Sequence, residues 1–186
     1  MNVFGLPKSL EVNGVERPIR YQYTAVLDII RALNDRELDG SEKVYCCLYI
    51  LFEDFDDIPK EDYEAAFIAA QSFIDNGVES DKKDNVKKVD FEQDARLLFP
   101  AINRVAGREI RNDDDIHWWT FLGWFMEIGE CTYSHVLNIR SKKAKGKQLE
   151  KWEQDFYSEN KDICDIQIKL TEEEKEAERR LNELLG

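Results

Sequence analysis

The sequence predicts a mainly α fold: about seven helices around an aromatic-rich core, with a short N-terminal β-hairpin. Three observations predict it. Apolar residues recur at i, i+3, i+4 spacing along most of the chain, which is the period of a helix with one buried face. Clean period-two alternation occurs around Asn13-Gly14, near the start. A dense aromatic run, His117 to Met126, offers more apolar surface than one helix stripe needs.

Leu10-Glu11-Val12 alternates, Asn13-Gly14 supplies the two positive-φ positions of a type I′ turn, and Val15-Glu16-Arg17 alternates back. Pro18 ends the return strand or places it at an edge. From about Tyr23 the period becomes helical, with Tyr23, Val26, Leu27, Ile30 and Leu33 on one face. Asn34 to Gly40 breaks it. Ser41 is positioned to cap a second helix through Phe52, apolar on most sides and therefore central. Pro59 suits the first turn of a third helix burying Tyr63, Ala66, Phe67, Ala70, Phe73 and Ile74. Asn76-Gly77 is its stop signal.

Residues 78–89 are charged and nearly without large apolar groups, so a mobile linker loop is expected there. A fourth helix starts near Asp90, with Gln93 in capping-box register and Leu97, Leu98, Ala101, Ile102 and Val105 facing inward. Pro100 should kink or split it, and Gly107 ends it. Asp113-Asp114-Asp115 then precedes the aromatic helix, where negative charge complements the helix dipole. A sixth helix runs from about Thr132 to Ala144 and stops at Gly146. A seventh carries Leu149, Trp152, Phe156 and Tyr157. Thr171-Glu172-Glu173-Glu174 is a capping box opening a last helix, with Ala177, Leu181, Leu184 and Leu185 in a narrow stripe. Such a stripe packs on a partner or on its own domain; both readings stand. The expected organisation is one compact domain overall: hairpin plus three helices over 1–77, the linker over 78–89, the aromatic core and basic helix over 90–168, and the C-terminal amphipathic helix over 169–186.

The 186 residues carry a net charge of −13, which suits solubility and disfavours non-specific nucleic-acid binding. No run of about 18 apolar residues exists to span a membrane, and the N-terminus lacks the pattern of a signal peptide. The four cysteines, Cys46, Cys47, Cys131 and Cys164, show no disulfide framework, so a reducing cytoplasm is the expected compartment. Cys46 and Cys47 sit in an apolar run and read as small buried hydrophobes.

The chemistry-bearing patterns are sparse. Asp113, Asp114, Asp115 and His117, with Cys131 and His135 at i, i+4, can be drawn as a metal cluster. The same carboxylates sit where a dipole-complementing cap would sit, and a cap with packed histidines is the expectation. The sequence has no Gly-x-Ser-x-Gly elbow, no Walker-type phosphate loop and no Gly-x-Gly-x-x-Gly turn. The expectation is therefore no enzyme, no cofactor and no metal. The aromatic block reads first as a central helix packed all round and second as a protein-binding patch, with Trp118, Phe121, Leu122 and Phe125 on one stripe and Trp119 and the Met126 side elsewhere. Gly123 would allow a neighbouring helix to approach closely. Arg140, Lys142, Lys143, Lys145 and Lys147 form a local charge reversal. It reads as a solvated helix end together with a match to acidic surfaces of the same or a second subunit, ahead of an RNA contact. The candidate partner-binding residues are thus Trp119, Trp124, Arg140, Lys142, Lys143, Lys145, Lys147, Leu181 and Leu184.

The same residues carry a resemblance. Phe91-Glu92-Gln93-Asp94-Ala95, Ala101-Ile102, Gly107, Ile116-His117-Trp118-Trp119-x-Phe121, Val136-x-x-Ile139-Arg140-x-Lys142-Lys143 and Asn160-Lys161 resemble, in that order, the bacteriophage gene-product-fifteen family. Leu6-Pro7 and Val12-Asn13-Gly14 are similar to the family's start. Gly107-Arg108-Glu109-Ile110 departs from the family's Gly-Ile-Asp-Leu-like segment. Members are encoded among the tail genes of phages and prophages of Gram-positive bacteria. The resemblance implies a tail assembly chaperone in the host bacterial cytoplasm, binding the tape-measure protein and also the tail-tube protein or an upstream tail chaperone, with self-association a further option. The alternatives are a structural tail component retained in the virion and a small RNA- or metal-binding regulator.

Overall fold

The computed structural model describes residues 5–76, 88–167 and 170–185. Strands β1 (Ser9–Val12) and β2 (Val15–Pro18) form the hairpin, antiparallel with Val12 opposite Val15 and Leu10 opposite Arg17. Asn13 and Gly14 have φ of 48° and 83°, both positive as a type I′ turn requires. Alternation places Leu10 and Val12 in the core, against the third helix.

Nine α-helices follow among the described residues, against the seven or so expected: α1 (Tyr23–Asn34), α2 (Gly40–Leu51), α3 (Tyr63–Ile74), α4 (Ala95–Ala106), α5 (Trp118–Met126), α6 (Thr132–Ala144), α7 (Lys151–Glu159), α8 (Lys161–Cys164) and α9 (Glu172–Leu185). The single-turn α8 has too few residues to show a period, and sequence reading missed it. The mainly α fold with one short hairpin stands as expected.

Several boundaries differ from the sequence reading, each for a local reason. Asp39, not Ser41, caps α2: its carboxylate accepts from Glu42 N while the Glu42 carboxylate accepts from Asp39 N. This reciprocal box satisfies two otherwise unpaired donors. Helix α2 is also one-sided. Cys47, Leu48 and Leu51 are buried, whereas Tyr45 and Tyr49 face outward. Pro59 precedes a 3-10 turn, Lys60–Asp62, and α3 starts only at Tyr63.

Asp90 caps a turn rather than a helix, accepting from Glu92 N and Gln93 N, and α4 begins at Ala95. Gln93 does not reach back to Asp90; its amide bridges Asp165 O and Gln167 N. Helix α4 runs unbroken through Pro100, whose ring lies on an exposed face. Gly107 closes it with φ of 70°. Residues 78–87 of the expected linker lie outside the described residues.

The main core gathers around stacked rings. Tyr23 stacks on Phe121 at 4.8 Å, and Trp118 stacks on Phe121 at 5.6 Å. Phe91, Phe99 and Phe125 surround them edge-on or tilted. A second, smaller core of Val136, Ile139 and Cys164 joins α6, α7 and α8. The chain at 19–22 stitches the first core together. Ile19 bridges to Phe52, Tyr23 N donates to Ile116 O, and Trp118 N donates to Tyr21 O.

Candidate functional site

The residues that sequence reading singled out divide into those that build the fold and those that face outward. His117-Trp118-Trp119 belongs to the first group. His117 caps α5: Nδ1 accepts from Trp119 N at 3.0 Å, which leaves Nε2–H to donate to Pro7 O at 2.8 Å. Both ring nitrogens are engaged only in the neutral tautomer. Burial, assisted by nearby Lys8, holds the His117 pKa below the ordinary histidine value. The carboxylates at 113–115 therefore do not cap the helix. Asp113 pairs with Arg108, and Asp115 accepts from the Tyr21 hydroxyl.

The two adjacent indoles share one task. Trp118 Nε1 donates to Ile74 O at 2.8 Å and Trp119 Nε1 donates to Phe73 O at 2.9 Å. These carbonyls end α3, where a helix has acceptors without intrahelical partners. Trp119 is thus a joint between α5 and α3, partly buried against the core rather than a free contact. Trp124 also packs partly buried against it. Gly123 has open space where a side chain would begin, so no helix among the described residues uses it for close approach.

The basic segment divides at Lys143. Arg140 is buried, and its five N–H groups all find acceptors. Nη1 and Nη2 grip Asp94 at 2.7 and 2.8 Å. The remaining donors reach Lys88 O, Ile163 O and Cys164 O. A planar fork of donors matches a carboxylate in this way. Asp94 also accepts from Asp90 N and the Tyr133 hydroxyl, and burial drives the Tyr133 pKa up. Lys142 sits on the wholly buried Glu153 at 2.6 and 2.8 Å, and this contact holds the Glu153 carboxyl below the usual range. Lys143 reaches Asp165 and Tyr157, both at 2.6 Å. The acidic match foreseen for this segment is internal. It uses Asp94, Glu153 and Asp165, whereas Glu174 pairs with Arg36 and Glu172 with Lys175. Arg140 is corrected from a partner contact to an internal clasp, because it is buried with every donor satisfied, while Lys142 and Lys143 each hold an intramolecular counterion.

Lys145 and Lys147 are exposed and have no ion pair among the described residues. Leu181, on α9, is 55% exposed. Side-chain placement of Leu184 lies outside what is described. Helix α9 is held at its first turn, where Arg36 grips Glu174 at 2.7 and 2.8 Å and Glu172 N donates to Glu37. The Thr171 capping box forms as the sequence reading expects. Beside this root lies a groove of about 500 Å³ floored by Leu27, Ile30, Phe91, Ile166 and Leu170.

Sequence reading missed an outward aromatic surface. Tyr45 and Tyr49, 51% and 57% exposed, stack at 6.1 Å and rest edge-on against Phe55, which also touches Tyr63. Tyr45 and Tyr63 line a groove of about 850 Å³ with Leu38, Val44, Cys46 and Lys60. The available signal was two tyrosines at i, i+4 on the side of α2 opposite Cys47, Leu48 and Leu51. The metal cluster drawn from Asp113 to His135 does not converge. His135 packs on Trp152 and Phe156, and no group of three His, Cys, Asp or Glu side chains is placed to hold a metal among the described residues. No helix among them is long and apolar enough to cross a membrane.

No curated protein and no solved structure matches the chain. A family model described as Bacteriophage Gp15 protein matches residues 5–166, which include the hairpin, the His-Trp-Trp joint and the Arg140 clasp, and the chain belongs to that family.

Proposed function

We propose that this phage protein works in tail morphogenesis as a tail assembly chaperone, binding the tape-measure protein in the host cytoplasm before the tail tube encloses it. The reading joins phage-family membership to one structural observation: an amphipathic helix, α9, anchored at its first turn and carrying Leu181 exposed. A helix that offers an apolar side chain away from its own core is suited to reversible docking with another helix. The net charge of −13 keeps such a protein dispersed while it presents apolar surface. Binding of this kind needs no catalytic group and no cofactor.

Co-expression with the tape-measure protein followed by pull-down tests the proposal. The full chain should raise the soluble fraction of the tape-measure protein and co-purify with it. Leu181→Glu should weaken capture while leaving the thermal midpoint unchanged. Absence of a complex, with no change in tape-measure solubility, rejects the reading. Mass spectrometry of purified virions adds a second test: a chaperone is missing from the particle, whereas a structural tail component is present at a fixed copy number.

A further inference from the structure

Two surfaces of this chain are complementary to one another. On the first, the stacked pair Tyr45 and Tyr49 rests on Phe55, which touches Tyr63; Asp56 and Asp57 follow Phe55 in the chain, Glu61 and Glu64 flank Tyr63, and all four are exposed. None of these four carboxylates has an ion pair among the described residues. Lys60 is the basic side chain at the groove's edge. The second surface lies where α6 turns into α7. There Lys145, Lys147 and Lys151 are exposed without a counterion among the described residues, beside Trp152 at 46% exposure. The Trp152 ring is fixed against His135 at 5.3 Å, and its Nε1 donates to Glu150. These surfaces belong to different groups of helices: α2 packs on α1 and α3, while α6 packs on α4 and α8.

We propose that the tyrosine surface of one copy receives the Lys145–Lys151 corner of a second copy. The lysines would face the acidic rim, and Trp152 would meet the tyrosine pair. Charge selects the occupant. Neither surface can pair with itself, because like charges would oppose each other, so the contact joins unlike surfaces. It closes as a reciprocal pair or a ring, or continues as a chain. Tyrosine and tryptophan supply the apolar area, and lysine over an aromatic face adds a favourable contact. The inference is independent of tape-measure binding.

Sedimentation velocity on the intact protein tests it, over a range of concentrations, at about 20 mM and about 300 mM salt. The expected result is a mass above the monomer that grows with concentration at low salt and declines at high salt. Asp56→Lys, Asp57→Lys and Glu61→Lys together should abolish association. So should Lys145→Glu, Lys147→Glu and Lys151→Glu. A chain with all six substitutions keeps the net charge of −13, since the changes cancel, and should associate again. Tyr45→Ala with Tyr49→Ala should weaken association about tenfold or more. All these side chains are wholly or partly exposed, and unchanged circular dichroism will show that the variants fold. A wild-type chain that stays monomeric at low salt overturns the proposal, even if the same surfaces then prove to bind another protein. Association indifferent to salt, or not restored by the six-fold reversal, overturns it equally.

Discussion

Replacing Arg140 with Met is the sharpest test of the Arg140–Asp94 clasp. The guanidinium is 5% exposed and its partner Asp94 is 2% exposed. Methionine matches much of the arginine stem but returns none of the five hydrogen bonds. Asp94 would remain a buried carboxylate, left with Asp90 N and the Tyr133 hydroxyl as donors. Breaking a buried ion pair from one side costs about 3–5 kcal/mol. In a chain of this length each kcal/mol shifts the thermal midpoint by about 2–4 °C, so a fall of roughly 6–20 °C is expected. Urea denaturation gives the free energy and calorimetry the midpoint. Adding Asp94→Leu removes the stranded charge, so the double variant should be more stable than the sum of the two single losses by about 2 kcal/mol or more. A loss under about 0.5 kcal/mol for Arg140→Met, the range of ordinary surface changes, would refute the clasp and return Arg140 to the candidate contacts.

Three further outcomes follow from the site geometry. The His117 pKa is lowered by burial, so its contribution to stability is complete above the unfolded value of about 6.5 and is lost as pH falls through the folded pKa. Thermal midpoints taken from pH 8 down to 5 should therefore drop on the acid side, and His117→Asn, which can still cap, should flatten that slope. Trp119→Phe keeps an aromatic ring but removes the indole donor to Phe73 O, which retains only backbone donors such as Asn76 N; chemical denaturation should register a loss of about 1 kcal/mol. The Cys47 thiol is buried, with its pKa pushed up to about 12, so alkylation followed by mass spectrometry should modify it only on unfolding, well after partly exposed Cys46.

Local signals were legible in the sequence where the physics is local. Asn13-Gly14 dictates its turn through φ alone, and Thr171 to Glu174 closes a box across one helical turn. Helix faces were readable too, because burial of Tyr23 and Val26 follows from their spacing. Choosing between neighbouring caps was less so: Asp39 and Ser41 are both good cap residues, and the reciprocal Glu42 contact decided for Asp39. Charge assignments failed for a different reason. The lysine run is visible as a local reversal, but the acids that neutralise it lie elsewhere in sequence. Asp94 is 46 residues from Arg140 and Asp165 is 22 from Lys143. No local pattern distinguishes a free lysine from one whose counterion arrives through the fold. The aromatic block shows the same limit, since the acceptors for Trp118 and Trp119 are backbone carbonyls 44 and 46 residues away, and a carbonyl leaves no mark in a sequence.

The His-Trp-Trp block and Arg140 act on the chain in the same way. His117, Trp118 and Trp119 donate to Pro7 O, Ile74 O and Phe73 O. Arg140 donates to Lys88 O, Ile163 O and Cys164 O. Both blocks reach out from a helix to tie down backbone elsewhere. A contact of this kind fixes the donor's identity but not the acceptor's, because any residue offers a carbonyl. Donors of this kind can stay constant while the surfaces they support change. The outward features have the opposite character. Tyr45, Tyr49 and Leu181 are exposed. Helix α9 lies wholly beyond residue 166, where the family match stops. Ending the chain at residue 170 removes the Arg36–Glu174 anchor and α9 but leaves both clasps in place. The thermal midpoint should then move by no more than a few degrees, while capture of the tape-measure protein is lost. Collapse of the fold on that truncation would place α9 among the stabilising elements and withdraw it as a docking helix.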